Sequence, residues 1–307
     1  MMLSLASMAL AGWPLPPHRS KCAVLYIAFA PFGSRPLRDF VASYERHPPG
    51  IECDLYILCK GFSDDEAINE FLDPAKALAY TAIRVPDGGF DLGTYHYVAQ
   101  RLDANDFCFF NTRSVILVGD WLRMLHKYSR DAQIGAAGAT ASCESLYSDH
   151  LRAVAEGLRA GRSLRSIAGR SFLNRWRHRY LFPAFPNPHL RTNAFVIRAD
   201  VFRRLRFGTI RSRLDTARLE NGRSSITRQL RRMGLEPVIV GRDGRRYDAS
   251  RWSRSDTFWQ GGQHNLLVAD NQTEKYALAS ATERSSMTRR AWGTDPGPDG
   301  SHHRIAP

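Results

Sequence analysis

The chain is poor in lysine. Of 43 Lys and Arg residues in 307, only Lys21, Lys60, Lys76, Lys127 and Lys275 are Lys. It also lacks paired cysteines: Cys22, Cys53, Cys59, Cys108 and Cys143 form an odd set with no CxxC. That excludes a disulfide scaffold and a paired-ligand zinc site, and it suits buried, reduced thiols. No GxGxxG opens a helix, and GxxxxGK[ST], GxSxG and HExxH are all absent. These absences argue against a dinucleotide-binding Rossmann site, a P-loop NTPase, a nucleophile-elbow hydrolase and a zincin. No run approaches the ~18 apolar residues of a membrane span. Met1 to Pro16 is apolar, but no basic residue precedes it and Pro14, Pro16 and Pro17 break it. Residues 1–20 therefore read as a disordered leader rather than a secretory signal.

What is present is ordinary in amount and uneven in placement. Hydrophobic residues make up 43% and charged residues 24%, which fits a soluble globular protein with a sizeable core. The formal net charge is +13, yet Leu151 to Arg254 alone carries +18 and the remainder is slightly acidic. A region this basic suggests an anionic partner such as phosphate, diphosphate, nucleic acid or a membrane surface, or else a solvated Arg-rich face. Within it, Leu151, Val154, Leu158, Leu164, Ile167, Phe172, Trp176 and Tyr180 recur at steps near three and four with Arg between them. That is a basic amphipathic helix or helix pair, able to touch anionic lipid or to pack by its apolar stripe.

Elsewhere strands alternate with helices. Strand-like runs lie at Cys22–Phe29, Cys53–Cys59, Tyr80–Val85, Phe107–Phe110, Ile134–Thr140, Thr192–Ile197 and Pro237–Val240. Helical spacing fills Pro36–Arg46, a segment capped by Ser63 and ending near Phe71, Leu92–Leu102, Asp120–Ser129, Asp200–Leu205 and Ser224–Met233. This alternation predicts a doubly wound, mostly parallel α/β sheet with a basic helical insertion. Ligands in such sheets sit beyond the carboxyl ends of the strands. From Ser285 the composition turns to Ser, Arg, Gly, Pro and His, which reads as a disordered tail over 285–307.

Five segments carry candidate chemistry. Asp87-Gly88-Gly89-Phe90-Asp91-Leu92-Gly93 closes the third strand; its glycines allow close backbone approach, and Asp91 stands at a helix N-terminus. Phe110-Asn111-Thr112-Arg113-Ser114 ends an apolar strand in an amide and a guanidinium, the latter suited to a diphosphate. Asn187-Pro188-His189-Leu190-Arg191-Thr192-Asn193 feeds a buried strand. Asp215 through Glu220-Asn221-Gly222 places carboxylates ahead of a helix, where one can serve as a general base. Gln260-Gly261-Gly262-Gln263-His264-Asn265, followed by Asp270-Asn271-Gln272, is a polar segment that can fold over a pocket as a lid. Each also has a plain structural reading as a turn, cap or surface loop.

In this order the five segments resemble the GT-A-type glycosyltransferases, nearest to the rhamnan-synthesis-like bacterial polysaccharide enzymes, over about Lys21 to Arg284. The resemblance implies a GT-A-like domain over 21–284 that moves a sugar from a nucleotide-diphosphate donor to a glycan or lipid-linked acceptor. It implies inversion, with Glu220 as the base and Asp215 as the runner-up. It places Asp87, Gly89, Asp91, Asn111 and Arg113 on the donor, and Arg191, Asn193, His189 and Gln263 at the acceptor or diphosphate. The family's DxD position looks like Asn111-Thr112-Arg113 and carries no acid, which sets the usual Mg²⁺ or Mn²⁺ in doubt; His264 is the remaining candidate ligand. The expected setting is cytoplasmic, with peripheral contact at an anionic membrane and no nucleic acid. The alternatives are a degenerate glycan- or nucleotide-binding module and a basic phosphate- or nucleic-acid-binding protein.

Overall fold

The computed structural model describes residues 22–159 and 176–293. Residues 1–21 and 160–175 lie outside the described residues, the latter including Leu164, Ile167 and Phe172 of the predicted basic helical insertion. The strands are β1 Cys22–Phe29, β2 Asp54–Lys60, β3 Thr81–Arg84, β4 Asp106–Phe110, β5 Val115–Ile116, β6 Ile134–Gly138, β7 Ala141–Ser142, β8 His189–Leu190, β9 Phe195–Arg198, β10 Glu236–Val240, β11 Arg246–Tyr247 and β12 Val268–Ala269. The helices are α1 Arg35–Arg46, α2 Asp65–Phe71, α3 Phe90–Ala99, α4 Trp121–Ser129 and α5 Leu146–Arg159, then α6 at 176–181. After these come α7 Ala199–Arg203, α8 Arg213–Asn221, α9 Ile226–Arg232, α10 Asn271–Leu278 and α11 Ala281–Trp292.

Eight strands form one sheet in the order β11-β10-β6-β9-β4-β1-β2-β3. The β1–β2, β2–β3, β1–β4 and β6–β10 pairs are parallel; β9 runs antiparallel between β4 and β6, and β11 antiparallel on the edge. This is the mixed α/β, mostly parallel architecture that the strand–helix alternation predicts.

Alternate residues of β1 feed two cores. Ala23, Leu25 and Ile27 pack with Leu92, Tyr95 and Val98 of α3 and with Phe202 and Leu230. Val24, Tyr26 and Ala28 pack with Leu37 and Phe40 of α1 and Trp121, Leu122 and Leu125 of α4. A strand covered on both faces must be apolar throughout, which is why β1 reads as an unbroken run. At ~1.5–3 kcal/mol per fully buried large side chain, these two layers are the main term holding the helices to the sheet. From β1 the chain winds outward through β2 and β3, whereas β4 takes the other side of β1. That reversal opens a crevice at the strand carboxyl ends.

Two boundaries differ from the sequence reading. Asp64, not Ser63, caps α2, accepting from the Ala67 N–H at 2.8 Å. Residues 285–293 are not tail: α11 begins in a capping box between Ser280 and Glu283 and ends at Gly293 with a φ of 85°. Its last turn buries Ala291 and Trp292, and the Trp292 indole donates to Phe258 O at 2.8 Å. The remainder, 294–307, lies outside the described residues.

Candidate functional site

The turn after β3 is held from below. Lys60 ends β2 with a 4% exposed side chain. Its ammonium donates to Gly88 O (3.1 Å), Phe90 O (2.9 Å) and Thr94 Oγ1 (3.0 Å). All three of its donors are thus committed to the turn. Burial lowers the Lys60 pKa, against the opposing pull of Asp91 and Asp87. Gly89 supplies a φ of 81°, and Phe90 follows at 51°. Asp87 accepts from the Gly61 N–H at 2.6 Å and so ties this turn to the one after β2.

Beyond these strand ends lies a cavity of about 280 Å³, walled by Asp91, Glu144, Arg191, Glu220, Asn221 and Arg290 and by the Phe258–Trp259 pair. The two rings stack with centroids 4.6 Å apart. Glu220, in the last turn of α8, accepts from Thr192 Oγ1 at 3.0 Å. Burial raises its carboxyl above the ordinary glutamate value; the Thr192 bond and Arg191 oppose the rise, and Asp91 adds to it. Burial also raises Asp91, against Lys60. It raises Glu144 too, against Arg290, Arg191 and the Ser142 hydroxyl. His189 is buried and pushed down to about 4. Its Nδ1 lies 2.8 Å from Asn187 O. A carbonyl can only accept, so Nδ1 carries the proton and Nε2 is left as an acceptor. Asn221 Oδ1 is buried with no hydrogen-bond partner, and its amide belongs to the cavity wall.

One ion pair joins these parts. Arg191 meets the buried Asp270 at 2.9 Å and lies 4.1 Å over the Phe258 ring. Asp270 also caps α10, accepting from the Gln272 and Thr273 N–H groups. Asn193 reaches Asp270 at 3.4 Å, and its Oδ1 accepts from the Asn111 N–H at 3.2 Å and the Ser114 hydroxyl at 2.6 Å. The end of β4, the segment before β9 and the start of α10 are therefore one polar network.

The structure brings Asp91, Asn111, His189, Arg191, Asn193 and Glu220 to a single cavity from positions far apart in the chain. It does not bring the other candidates there. Asp215 sits in the α8 capping box, and its carboxylate accepts from the Ser212 hydroxyl and from the N–H groups of Arg211 and Ser212. These bonds, the Ser212 hydroxyl foremost, lower its pKa, the reverse of what a base assignment needs. Asp87 serves the Gly61 turn. Arg113 points into a neighbouring groove of about 720 Å³, where it lies 4.8 Å from the Phe32 ring centroid. Gln263 lines that groove, but its amide is spent on Trp259 N and Thr273 O. The 256–265 segment is a wall laced by such bonds rather than an open lid.

Three contributors escaped the sequence reading. Glu144 gave no motif. Arg290 lies in the stretch read as tail, yet it pairs with Glu144 at 3.1 Å and Asp149 at 2.8 Å. Lys60 looks like any residue closing a strand. For Arg290 the signal was available: Ser280 followed by Glu283 is a helix-start pattern.

The donor set does not suit a divalent metal. Among the described residues no group of three or more His, Cys, Asp or Glu side chains is placed to hold one. His264 is exposed, and the acid beside it is Asp256, which accepts from its backbone N–H at 3.0 Å.

No family model matches the chain, and no curated protein matches it. Among solved structures it is similar to a mannosyltransferase, PcManGT from Pyrobaculum calidifontis, in complex with GDP-Man and Mn²⁺, at 13% identity and a TM-score of 0.32. The match covers 47% of this chain and 42% of that one. A likeness this slight carries no argument about the site. Among the described residues no helix is long and apolar enough to cross a membrane.

Proposed function

We propose that the chain is a glycosyltransferase that takes its sugar from a nucleotide-diphosphate donor. The carrying observation is the cavity at the strand carboxyl ends, in which three carboxylates, amides and a stacked aromatic pair converge. Carboxylates and amides match the hydroxyl groups of a sugar. The unpartnered Asn221 Oδ1 supplies a further acceptor for a ligand donor. The motif order of the GT-A-type enzymes, and of the rhamnan-synthesis-like members among them, supports the same reading.

In this proposal Glu220 removes the proton from the acceptor hydroxyl in an inverting displacement, and Asp91 holds the donor. Arg191, already oriented by Asp270, and Arg290 supply the positive charge opposite the departing diphosphate, an electrostatic role. No step is routed through a metal.

The test is a thermal-shift panel of nucleotide sugars and nucleoside diphosphates, run with Mn²⁺, Mg²⁺ or EDTA. A ligand at 100 times its Kd adds about 2.7 kcal/mol of stability. Glu220→Gln should cut transfer by about 10²–10⁴-fold and keep the ligand shift. No shift with any nucleotide would overturn the reading.

A further inference from the structure

A second recess borders α8 at Arg218. It encloses about 570 Å³ between α6, the α8–α9 loop and α9, and is lined by Trp176, Tyr180, Arg179, Arg218, Arg223 and Arg232. No Asp or Glu is among the described residues lining it. Its charge is only lightly compensated: Arg218 has Asp215 at 3.8 Å. Arg223 and Arg232 donate to backbone carbonyls, of Arg179 at 3.5 Å and of Arg223 at 2.9 Å. Next to it Arg228 is held below its ordinary pKa, by burial first and then by repulsion from Arg223, Arg231 and Arg232. Four guanidinium groups, Arg179, Arg218, Arg223 and Arg232, line one recess with no carboxylate among the described lining residues, and together they favour an anion between them.

The same surface is unusually apolar. Tyr180 is 80% exposed and Trp176 61%, one turn apart on α6. α5 and α6 meet through His150 and His178, whose ring centroids are 5.2 Å apart. Amphipathic rings beside arginines are the composition of a protein surface at the headgroup level of a bilayer. Trp176 and Tyr180 each carry one polar end on an apolar body, which suits the boundary between headgroups and acyl chains.

We propose that this recess docks on an anionic membrane, with the four arginines on lipid phosphates and Trp176 and Tyr180 in the interfacial layer. The site does not depend on the chemistry of the cavity. It does place that chemistry: Glu220 lines the cavity and Arg223, three residues later, lines the recess. A docked chain would hold its cavity close to the bilayer surface.

The experiment is co-sedimentation of the full chain with vesicles of phosphatidylcholine alone or of phosphatidylcholine with phosphatidylglycerol. Binding is expected to the anionic vesicles only and to fall with added salt. The charge-reversal variant Arg179→Glu, combined with Arg232→Ala, should lower partitioning about tenfold or more, as each basic residue near such a surface contributes substantially. Tyr180→Ala should weaken binding without changing the salt dependence. Unchanged melting temperatures show that the variants remain folded, and a retained nucleotide-sugar shift shows that the cavity is intact. Two outcomes overturn the proposal: no binding to anionic vesicles, with polyuridylate or inorganic diphosphate binding through these arginines then marking a nucleic-acid or free-phosphate site instead; or equal binding by wild type and variants, which assigns the membrane contact to another part of the chain.

Discussion

Arg191 and Asp270 form an ion pair at 2.9 Å in which the carboxylate is fully shielded and the guanidinium only 16% exposed. The pair fastens the segment before β9 to the start of α10, and through Asn193 to the end of β4. Taking two charges out of water is costly, and their attraction repays it only with close geometry and further hydrogen bonds, which Asp270 has from Gln272 N, Thr273 N and Asn193. Its removal is therefore asymmetric. Asp270→Asn keeps a side chain able to cap α10 but leaves Arg191 buried and unpaired, and should destabilise by about 3–5 kcal/mol. Arg191→Met combined with Asp270→Asn should recover most of that loss. Urea unfolding of the two single variants and the double variant measures this. A double variant no more stable than Asp270→Asn would show that the pair is not a coupled unit.

Glu220 should cost the protein stability when ionised. Burial raises its carboxyl pKa in the folded chain, so the native state binds that proton more tightly than the unfolded chain does. The penalty begins as pH rises past the unfolded value and is complete above the folded one. Glu220→Gln carries no charge at any pH. The variant should melt above the wild type at neutral pH, with the gap closing as pH falls through the folded value. Melting curves across that range check it; a gap independent of pH would mean that burial does not destabilise the Glu220 carboxylate. As the base of the proposed transfer, the same group should give that activity an acidic limb above the ordinary glutamate range, since a base must be ionised to act.

How far the sequence foretells this molecule depends on the range of the interaction concerned. β1 runs over Cys22–Phe29 as read, because an apolar run buried on both faces announces itself locally. Glu220, Arg191, Asn193 and Asp91 were legible as polar residues at strand and helix ends, where doubly wound sheets keep their ligands. What was illegible is set by partners distant in sequence. Nothing near Lys60 says that its ammonium ends on carbonyls 28 and 30 residues later. Asp215, the runner-up base by sequence, has its carboxylate claimed by the capping box with Ser212, a partner role that its sequence position does not announce. The polar, Arg-rich composition of α11 hid a helix whose hold on the protein is a single buried turn ending in Trp292.

Lys60 should matter to the cavity without touching it. Lys60→Met removes the charged donor to Gly88 O and Phe90 O, of which only Phe90 O keeps another side-chain donor, the Thr94 hydroxyl; hydrogen bonds to a charged group contribute about 1.5–3 kcal/mol. It also removes the cation that opposes the raised pKa of Asp91, so that carboxyl should rise further. Urea unfolding should show the lost stability, and the nucleotide-sugar shift should weaken as the turn bearing Asp91 loosens. Wild-type stability and an undiminished ligand shift together would sink the clamp.

Gly88 and Gly89 are neighbours with different duties. At Gly89 the backbone is left-handed, with φ at 81°, and an added Cβ would stand 3.0 Å from Gly93 Cα, an atom of the α3 backbone that cannot swing aside. At Gly88 an added Cβ meets nothing within 4 Å. Gly89→Ala should therefore cost about 1–2 kcal/mol from the left-handed conformation alone, with the contact to Gly93 adding to it. Gly88→Ala should be close to neutral, since it meets no atom and restricts the unfolded chain. The comparison is internal: both variants add one methyl group to the same turn, one residue apart, so their difference in unfolding free energy isolates backbone conformation from composition. If the two variants unfold alike, the turn is not held in the left-handed form that presents Asp91 to the cavity.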